Sequence, residues 1–492
     1  MTTIPEQAAD APERLVSDEQ LDAARIPVTR VGLATIGGGL GSFALVDRLR
    51  VAGVPAEEIA VLGAHTSPGA AFQARCTALG MTDDSRLRSD ATARIDNLWG
   101  FPGYAGGEAR RTRSLRPLTR QLLQGVAGEG SSPTVATVRA ALDKEARRIG
   151  WPLMTSGIPA DYLFKRDAGG YFVICRKKGG MVAIRCDHVH LALGAPGPRT
   201  TPEVAAYREA FPGSTRLTSA YDDNAAVLRQ LANRGANVVV RGAGPAAVQL
   251  LEQLAAGRIR HGRDLHIWHV VRSWPDGSTG HDQRLGFRHQ ALDFPRAAYT
   301  GALRDELRRA AEEERLDAFE RLGAPTTPRR KAVDELLDGA RAAGWYDAVV
   351  GEVESFADDG AQIATRVLLQ NGERMTIAAD HVFDATGLET DAGQHALVAD
   401  LLAFSPVATN RLGGLRTTPD WTVEGGDSGD GRMFASGRTA RGGHYGPVDS
   451  FTGLQQAALS IADTLATAGF GERLSPLRSA RGWLQWIGGK SL

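Results

Sequence analysis

A mostly apolar run at 31–36 stops at three glycines, and Phe43, Leu45, Val46 and Leu49 then recur at helical spacing. The pattern predicts a strand, a tight turn and a helix. It occurs twice. Residues 237–240, dominated by valine, end at Gly242-Ala243-Gly244, after which Val248, Leu250, Leu251 and Leu254 again recur at helical spacing. A short apolar run follows each helix, at 59–62 and at 265–271, so each copy reads as strand, helix, strand.

The rest of the chain reads more unevenly. Residues 1–27 are polar and acidic and predict a flexible tail; residues 67–107 predict irregular structure with an aromatic cluster, Trp99, Phe101 and Tyr104, covering the first turn. A helix is expected over 132–150, with Ser132 as N-cap, Pro133 at the first position and Gly150 as the stop. Strands are expected at 151–154, 171–176 and 181–185, with another ending at Leu191; a linker with one short helix should fill 200–236. Residues 274–343 form an insertion with charged helices at 302–321 and 333–343, a pattern typical of a solvated face. Strands follow at 349–356 and 363–369, then the hairpin signal Asn371-Gly372 and strands at 374–378, 381–386 and 433–437. A helix opens near Ser450, and a tail at 475–492 carries Trp483 and Trp486, which should pack on a domain surface.

Bulk properties narrow the function. The chain has 492 residues, 42% hydrophobic and 23% charged, which suits a soluble protein of two or three domains. Net charge is zero, which argues against nucleic acid or a membrane surface as partner. No apolar run approaches a spanning helix, and 1–27 lacks the apolar core of a signal peptide. Cys76, Cys175 and Cys186 are far apart with no C-x-x-C pair, which disfavours a dithiol centre or a zinc site; a cytoplasmic location is expected. No metal ligand set is expected, and oligomeric state is not readable.

The turns carry the chemistry. Gly37-Gly38-Gly39-Leu40-Gly41-Ser42 fits G-x-G-x-x-G with Ser42 in the last place, and Gly242 to Ala247 fits G-x-G-x-x-A. In each, the first glycine (Gly37, Gly242) makes the turn and the second (Gly39, Gly244) lets backbone approach a pyrophosphate. A small last residue lets the helix pack on the strand. Leu40, Gly41, Pro245 and Ala246 lie in the first turns of these helices, whose free N–H groups favour an anion. Arg272-Ser273 ends the second unit's second strand, where a cation and a hydroxyl suit the 2′-phosphate of NADP. The first unit has no acid at that place; His65 or Ser67 would have to contact the ribose. Arg241 precedes the second turn and should meet a ligand or a partner charge. His281, Asp282, Arg284, Arg288 and His289 form a tract able to line a substrate pocket, with Arg284 and His289 the candidates for substrate contact.

With these motifs in view, the chain resembles the two-dinucleotide-binding-domain flavoprotein monooxygenases, a group of flavin-containing, Baeyer–Villiger and N-hydroxylating ornithine/lysine enzymes. GGGLGS at Gly37 is similar to their FAD fingerprint and RGAGPAA at Arg241 to their NADPH fingerprint. LALGAPGP, containing Gly194, and DATG, containing Gly387, resemble their two domain crossovers; FASG, containing Gly437, with Thr452 and Gly453 resembles the closing FAD segment. FPGSTRLTSAYDD resembles the stretch ahead of the NADPH domain. Thr218 stands where a histidine is common and Arg438 where an aspartate is common, and neither the Baeyer–Villiger signature nor the ornithine-hydroxylase ending is evident.

The resemblance implies an α/β fold of two Rossmann-like three-layer domains, the NADPH domain inserted in the FAD domain. The expected limits are 28–220 and 379–470 for FAD, 221–378 for NADPH, with tails at 1–27 and 471–492. It further implies NADPH reduction of FAD, oxygen activation as a flavin peroxide, and oxygenation of a small or medium-sized organic substrate, in a biosynthetic role. Asn97 would be the polar group near the flavin. Two other readings are a flavoprotein of this fold working without net oxidation, such as a cyclase, and a nucleotide-binding scaffold without turnover.

Overall fold

Two seven-stranded sheets organise the chain, and each contains an inner strand that a glycine turn terminates. The computed structural model describes residues 13–87, 89, 93–97, 99–127, 132–273, 301–322, 331–446 and 448–492. The strands are β1 (Leu15–Val16), β2 (Val28–Ile36), β3 (Ile59–Leu62), β4 (Tyr162–Arg166), β5 (Tyr171–Lys177), β6 (Gly180–Leu191) and β7 (Leu217–Ser219). They continue as β8 (Ala236–Arg241), β9 (Leu265–Val271), β10 (Tyr346–Asp358), β11 (Ile363–Leu369), β12 (Arg374–Ala379), β13 (His381–Asp384) and β14 (Met433–Ala435).

The first sheet runs β1-β4-β5-β6-β2-β3, with β14 also beside β6; the second runs β12-β11-β10-β9-β8-β13-β7. In the first, β2 pairs in parallel with β3 on one side and β6 on the other. In the second, β8 pairs in parallel with β9 and β13 in the same way. The chain therefore leaves β2 and β8 in one direction and later returns on their other side. That reversal opens a crevice at the carboxyl end of each strand, where open α/β sheets bind ligands. Burial on both faces explains why apolar residues dominate both strands: Leu33, Ala34 and Ile36 are buried in β2, Val238, Val239 and Val240 in β8.

Strand pairing moves the exchange points. Leu217–Ser219 and His381–Asp384 both belong to the second sheet, so that sheet takes in chain on the far side of the expected limits at 220 and 379. The two crossovers lie together: Arg199 N donates to Gly387 O at 3.1 Å and Glu389 N to Gly197 O at 2.9 Å.

Several local expectations fail for identifiable reasons. Residues 13–27 are not a loose tail. Ser17 and Gln20 form a capping box on helix Asp18–Ala23, β1 pairs with β4, and Lys165 Nζ reaches Glu13 at 2.6 Å. Residues 151–154 are a helical turn, Trp151–Met154, burying two side chains three apart. The helix before it, Val135–Arg148, begins at Val135 with Thr134 as its cap, because Leu87 N donates to Pro133 O and Val135 N to Ser85 O, holding 133–135 against 85–87. The strand expected at 181–185 and the one ending at Leu191 are a single strand, β6. The stretch 67–107 contains helix Ala70–Ala78, and 200–236 contains helices Pro202–Ala210 and Ala225–Arg234 around β7.

The charged helices of the insertion, Gly301–Arg309 and Glu312–Leu322, are not merely solvated. Arg411 pairs with Glu313 at 3.0 Å, with Glu320 at 2.8 Å and with Asp317, while Arg416 pairs with Glu312 at 3.0 Å. Arg315 Nε donates to Gly443 O at 3.1 Å, and the Phe319 ring fills the space beside Gly446. A segment inserted between two strands of the second sheet is thus docked on the first.

The C-terminal helix Pro476–Ile487, in the expected tail, clamps the aromatic loop. Trp99 Nε1 donates to Ser479 Oγ at 2.7 Å, Trp483 Nε1 to Phe101 O at 2.7 Å and Trp486 Nε1 to Asp96 O at 3.2 Å. Trp486→Ala removes one anchor and its stacking on Arg94, so a loss of about 2 kcal/mol is expected by chemical denaturation.

Candidate active site

The first crevice is shaped by close backbone contact. Gly37 sits at φ +110°, and a Cβ there would lie 2.2 Å from the Ala192 carbonyl oxygen. A Cβ at Gly63, after β3, would lie 2.3 Å from the Gly38 nitrogen. Glycine is the residue that admits both contacts. Gly39, N-cap of helix Leu40–Val51, has nothing among the described residues within 4 Å of its Cβ position. The helix has no acidic residue in its first turn, and its leading N–H groups lack partners within the helix. Open space before a positive helix end is what a pyrophosphate requires.

The second crevice repeats this geometry. Gly242 sits at φ +123°, with its Cβ position 2.5 Å from the Ala385 carbonyl oxygen. Gly244 caps helix Pro245–His261, and nothing among the described residues lies within 4 Å of its Cβ position. Gly37 N donates to Leu62 O at 2.7 Å and Gly242 N to Val270 O at 2.9 Å; Ala192 N donates to Ile36 O and Ala385 N to Arg241 O, both at 2.8 Å. Ser42 and Ala247, the small last residues, are wholly buried.

Three motifs far apart in sequence converge on the first turn. The Cβ position of Gly41 is 3.1 Å from Ala192 Cβ, 3.3 Å from Ser436 Oγ and 3.6 Å from Leu454 Cδ2. Gly437, at φ +61°, follows Ser436; Thr452 and Gly453 open helix Phe451–Thr467, where Ser450 Oγ accepts from Gly453 N at 3.0 Å. Arg438 pairs with Asp449 at 2.9 Å. Gly194 and Gly387 are at positive φ in the crossovers, with no described atom within 4 Å of their Cβ positions. His65 is exposed, and its carbonyl oxygen lies 3.1 Å from the Cβ position of Gly38.

Around the second turn, Arg272 and Ser273 are exposed beyond the end of β9, beside the strand that feeds the turn. Arg241 meets partner charges: it bonds Glu203 and lies 3.7 Å from Asp384. Asn97 is fully buried and serves its own loop, with Oδ1 accepting from Trp99 N at 2.9 Å and Nδ2 donating to Phe101 O at 3.2 Å. Its main-chain oxygen accepts from Gln455 of the closing helix at 2.7 Å. Arg284 and His289 lie outside the described residues.

Buried polar groups stand behind the turns, and the hydrophobic pattern of the sequence does not point to them. Thr35 Oγ1 donates to Ser42 Oγ at 2.7 Å, and Ser42 in turn donates to the Gly37 carbonyl. Thr35 Oγ1 also contacts His190 Nδ1 at 2.8 Å, and His190 Nε2 contacts Ser436 Oγ at 2.8 Å. His190 is completely buried, and that burial pushes its pKa down to about 3. In the second domain, His269 Nε2 lies 2.7 Å from the Gly242 carbonyl and Nδ1 lies 2.9 Å from the Tyr346 hydroxyl. Alternating His188 and His190 at the end of a long strand was the available signal.

The three thiols are free and buried. Burial pushes Cys76 and Cys175 up to about 11 and Cys186 to about 12, which leaves them protonated and unreactive near neutrality. No helix among the described residues is long and apolar enough to cross a membrane.

Gly37→Ala should abolish dinucleotide binding at the first crevice and spare the second, and Gly242→Ala should do the reverse; equilibrium binding of FAD and NADP⁺ to each variant checks this. A second expectation concerns pH. The folded state keeps His190 neutral while the unfolded chain takes up a proton below about 6.5, so stability falls as pH drops from there towards about 3. His190→Phe should flatten the dependence of unfolding free energy on pH by about 1.2 kcal/mol per unit between pH 6 and 5, read by urea denaturation.

No protein-family model matches the chain, and no curated protein matches it in sequence. Solved structures do match in fold. The ornithine N-hydroxylase of Kutzneria sp. 744, described with reduced FAD, NADP⁺ and L-ornithine, aligns with a TM-score of 0.66 at 13% identity, over 90% of this chain and 100% of that one. The Erwinia amylovora cadaverine monooxygenase of desferrioxamine biosynthesis, bound to FAD, aligns with a TM-score of 0.65 at 12% identity, over 91% and 98%. A bacillithiol disulfide reductase from Bacillus cereus aligns less well, with a TM-score of 0.53 at 13% identity, over 89% and 99%. The chain thus has the two-sheet, Rossmann-type α/β fold that these amine monooxygenases share.

Proposed function

We propose that the protein is a FAD-dependent monooxygenase that draws electrons from NADPH and oxygenates a small organic substrate bearing a primary amine, as the ornithine and cadaverine enzymes of the same fold do. The observation that carries this reading is the pair of open glycine crevices, each at the reversal point of its own sheet. One such crevice serves a single dinucleotide; two in one chain suit a bound flavin and its reductant.

In this reading the first sheet forms the FAD domain. The 37–42 turn takes the pyrophosphate, His65 borders the ribose, and Gly194, Gly437, Thr452 and Gly453 border the rest of the cofactor. The second sheet forms the NADPH domain, with the turn at Gly242, Gly244, Pro245 and Ala246 on the pyrophosphate and Arg272 and Ser273 on the 2′-phosphate. When bound, FAD would supply the redox chemistry between NADPH and oxygen. The chain's own part is to hold the two dinucleotides and keep water out. The helices at 301–322 serve this by joining the second sheet's insertion to the first domain through Arg411 and Arg315. The buried, protonated thiols support oxygenation over thiol exchange, the chemistry of the reductase with similar fold. They also suit a reducing compartment such as the cytoplasm.

The test is NADPH addition without oxygen, followed by oxygen and a panel of diamines and basic amino acids. The expected result is bleaching of bound FAD by NADPH in preference to NADH, and oxygen uptake raised by one of the amines. Protein that takes up no FAD, or FAD that NADPH leaves oxidised, would overturn the reading.

A further inference from the structure

The two crevices solve one problem with different residues. In each turn the first glycine's carbonyl oxygen, if left free to turn towards a pyrophosphate, would oppose it. In each, a buried side chain ties it down: the Ser42 hydroxyl on Gly37 O, and His269 Nε2 on Gly242 O. Behind each donor stands a second polar group that orients it. Ser42 is held through Thr35 and His190 by Ser436, and His269 by the Tyr346 hydroxyl.

The strand registers show that the two supports are placed differently. Thr35 faces His190 on β6 and Val61 on β3; the matching Val240 faces Phe383 on β13 and His269 on β9. The first sheet thus puts its histidine on one side of the central strand, and the second puts its own on the other. Polar groups buried this deeply are costly unless fully paired, and apolar residues fill the corresponding places in the opposite sheet. A strand–turn–helix unit therefore does not need a histidine at either place in order to fold.

We propose that His190, acting through Thr35 and Ser42, and His269, acting directly, are positioning residues that hold the first and second crevices in their dinucleotide-binding form, each for its own ligand only. The assignment of FAD to the first and NADPH to the second rests on the reading above. Hydrogen-bond direction fixes the ring tautomers. Thr35 donates to Ser42, so it accepts from His190 Nδ1–H, and His190 Nε2 accepts from Ser436. His269 donates from Nε2–H to Gly242 O and accepts from Tyr346 at Nδ1. The two rings carry their protons on opposite nitrogens.

The experiment measures FAD and NADP⁺ dissociation constants for the wild type, Thr35→Val, Thr35→Ser, Ser42→Ala and His269→Phe, with nitrogen-15 spectra of the histidine rings. Thr35→Val and Ser42→Ala should weaken FAD binding about tenfold and leave NADP⁺ within about twofold; His269→Phe should do the opposite. Thr35→Ser keeps the hydroxyl and should bind FAD as the wild type does. The spectra should show His190 as the Nδ1–H and His269 as the Nε2–H tautomer. Equal loss of both ligands in every variant, no loss in any, or one shared tautomer would overturn the proposal. If the wild type binds neither dinucleotide, the functional reading falls, and the proposal falls with it. If the wild type binds both and the variants are not selective, the proposal alone falls.

Discussion

The structure depends on a contact in which a side chain is missing. At Gly37 and at Gly242 the chain passes so close to the carbonyl of the returning crossover that a methyl group would sit 2.2 or 2.5 Å from an oxygen atom. This closeness lets β6 and β13 lie beside β2 and β8 right to their ends and then leave over the turn. It places Gly194 and Gly387 at the mouths of the crevices. It also frees the next glycines, Gly39 and Gly244, to face open space. Crevice, crossover and helix end follow from the same tight packing.

The two domains are joined by more than their crossovers. The 301–322 helices leave the second sheet and rest on the first domain through acids gathered around Arg411. The C-terminal helix returns to the first domain and fixes the 94–101 loop with three indole hydrogen bonds. A loop that reads as irregular is thus held from outside by tryptophans almost four hundred residues away, which gives a candidate cofactor border the rigidity that its own sequence lacks.

Both strand–turn–helix units were legible in sequence because their signals are local: a mostly apolar run, glycines at fixed offsets, and helical spacing after them. The strands at 265–271 and 363–369 and the Asn371-Gly372 turn were legible for the same reason. What failed was set by partners distant in sequence. Thr134 caps its helix because residues 85–87 hold the preceding strand-like segment. The acids at 312–320 look solvated until Arg411 is brought to them. The capping box at Ser17 was a local signal, masked by the polar composition around it. The alternation of His188 and His190 was visible in sequence, but the roles of His190 and His269 were not, because a histidine's role depends on what faces it across the sheet, and one strand in isolation does not show that.

The central claim is that one chain holds two separate dinucleotide sites. Calorimetric titration of the purified protein with FAD, and then with NADP⁺ in the presence of saturating FAD, tests it most directly. The account predicts one FAD and one NADP⁺ per chain, bound together without competition. Displacement of one by the other, or a single site that accepts either, would contradict it.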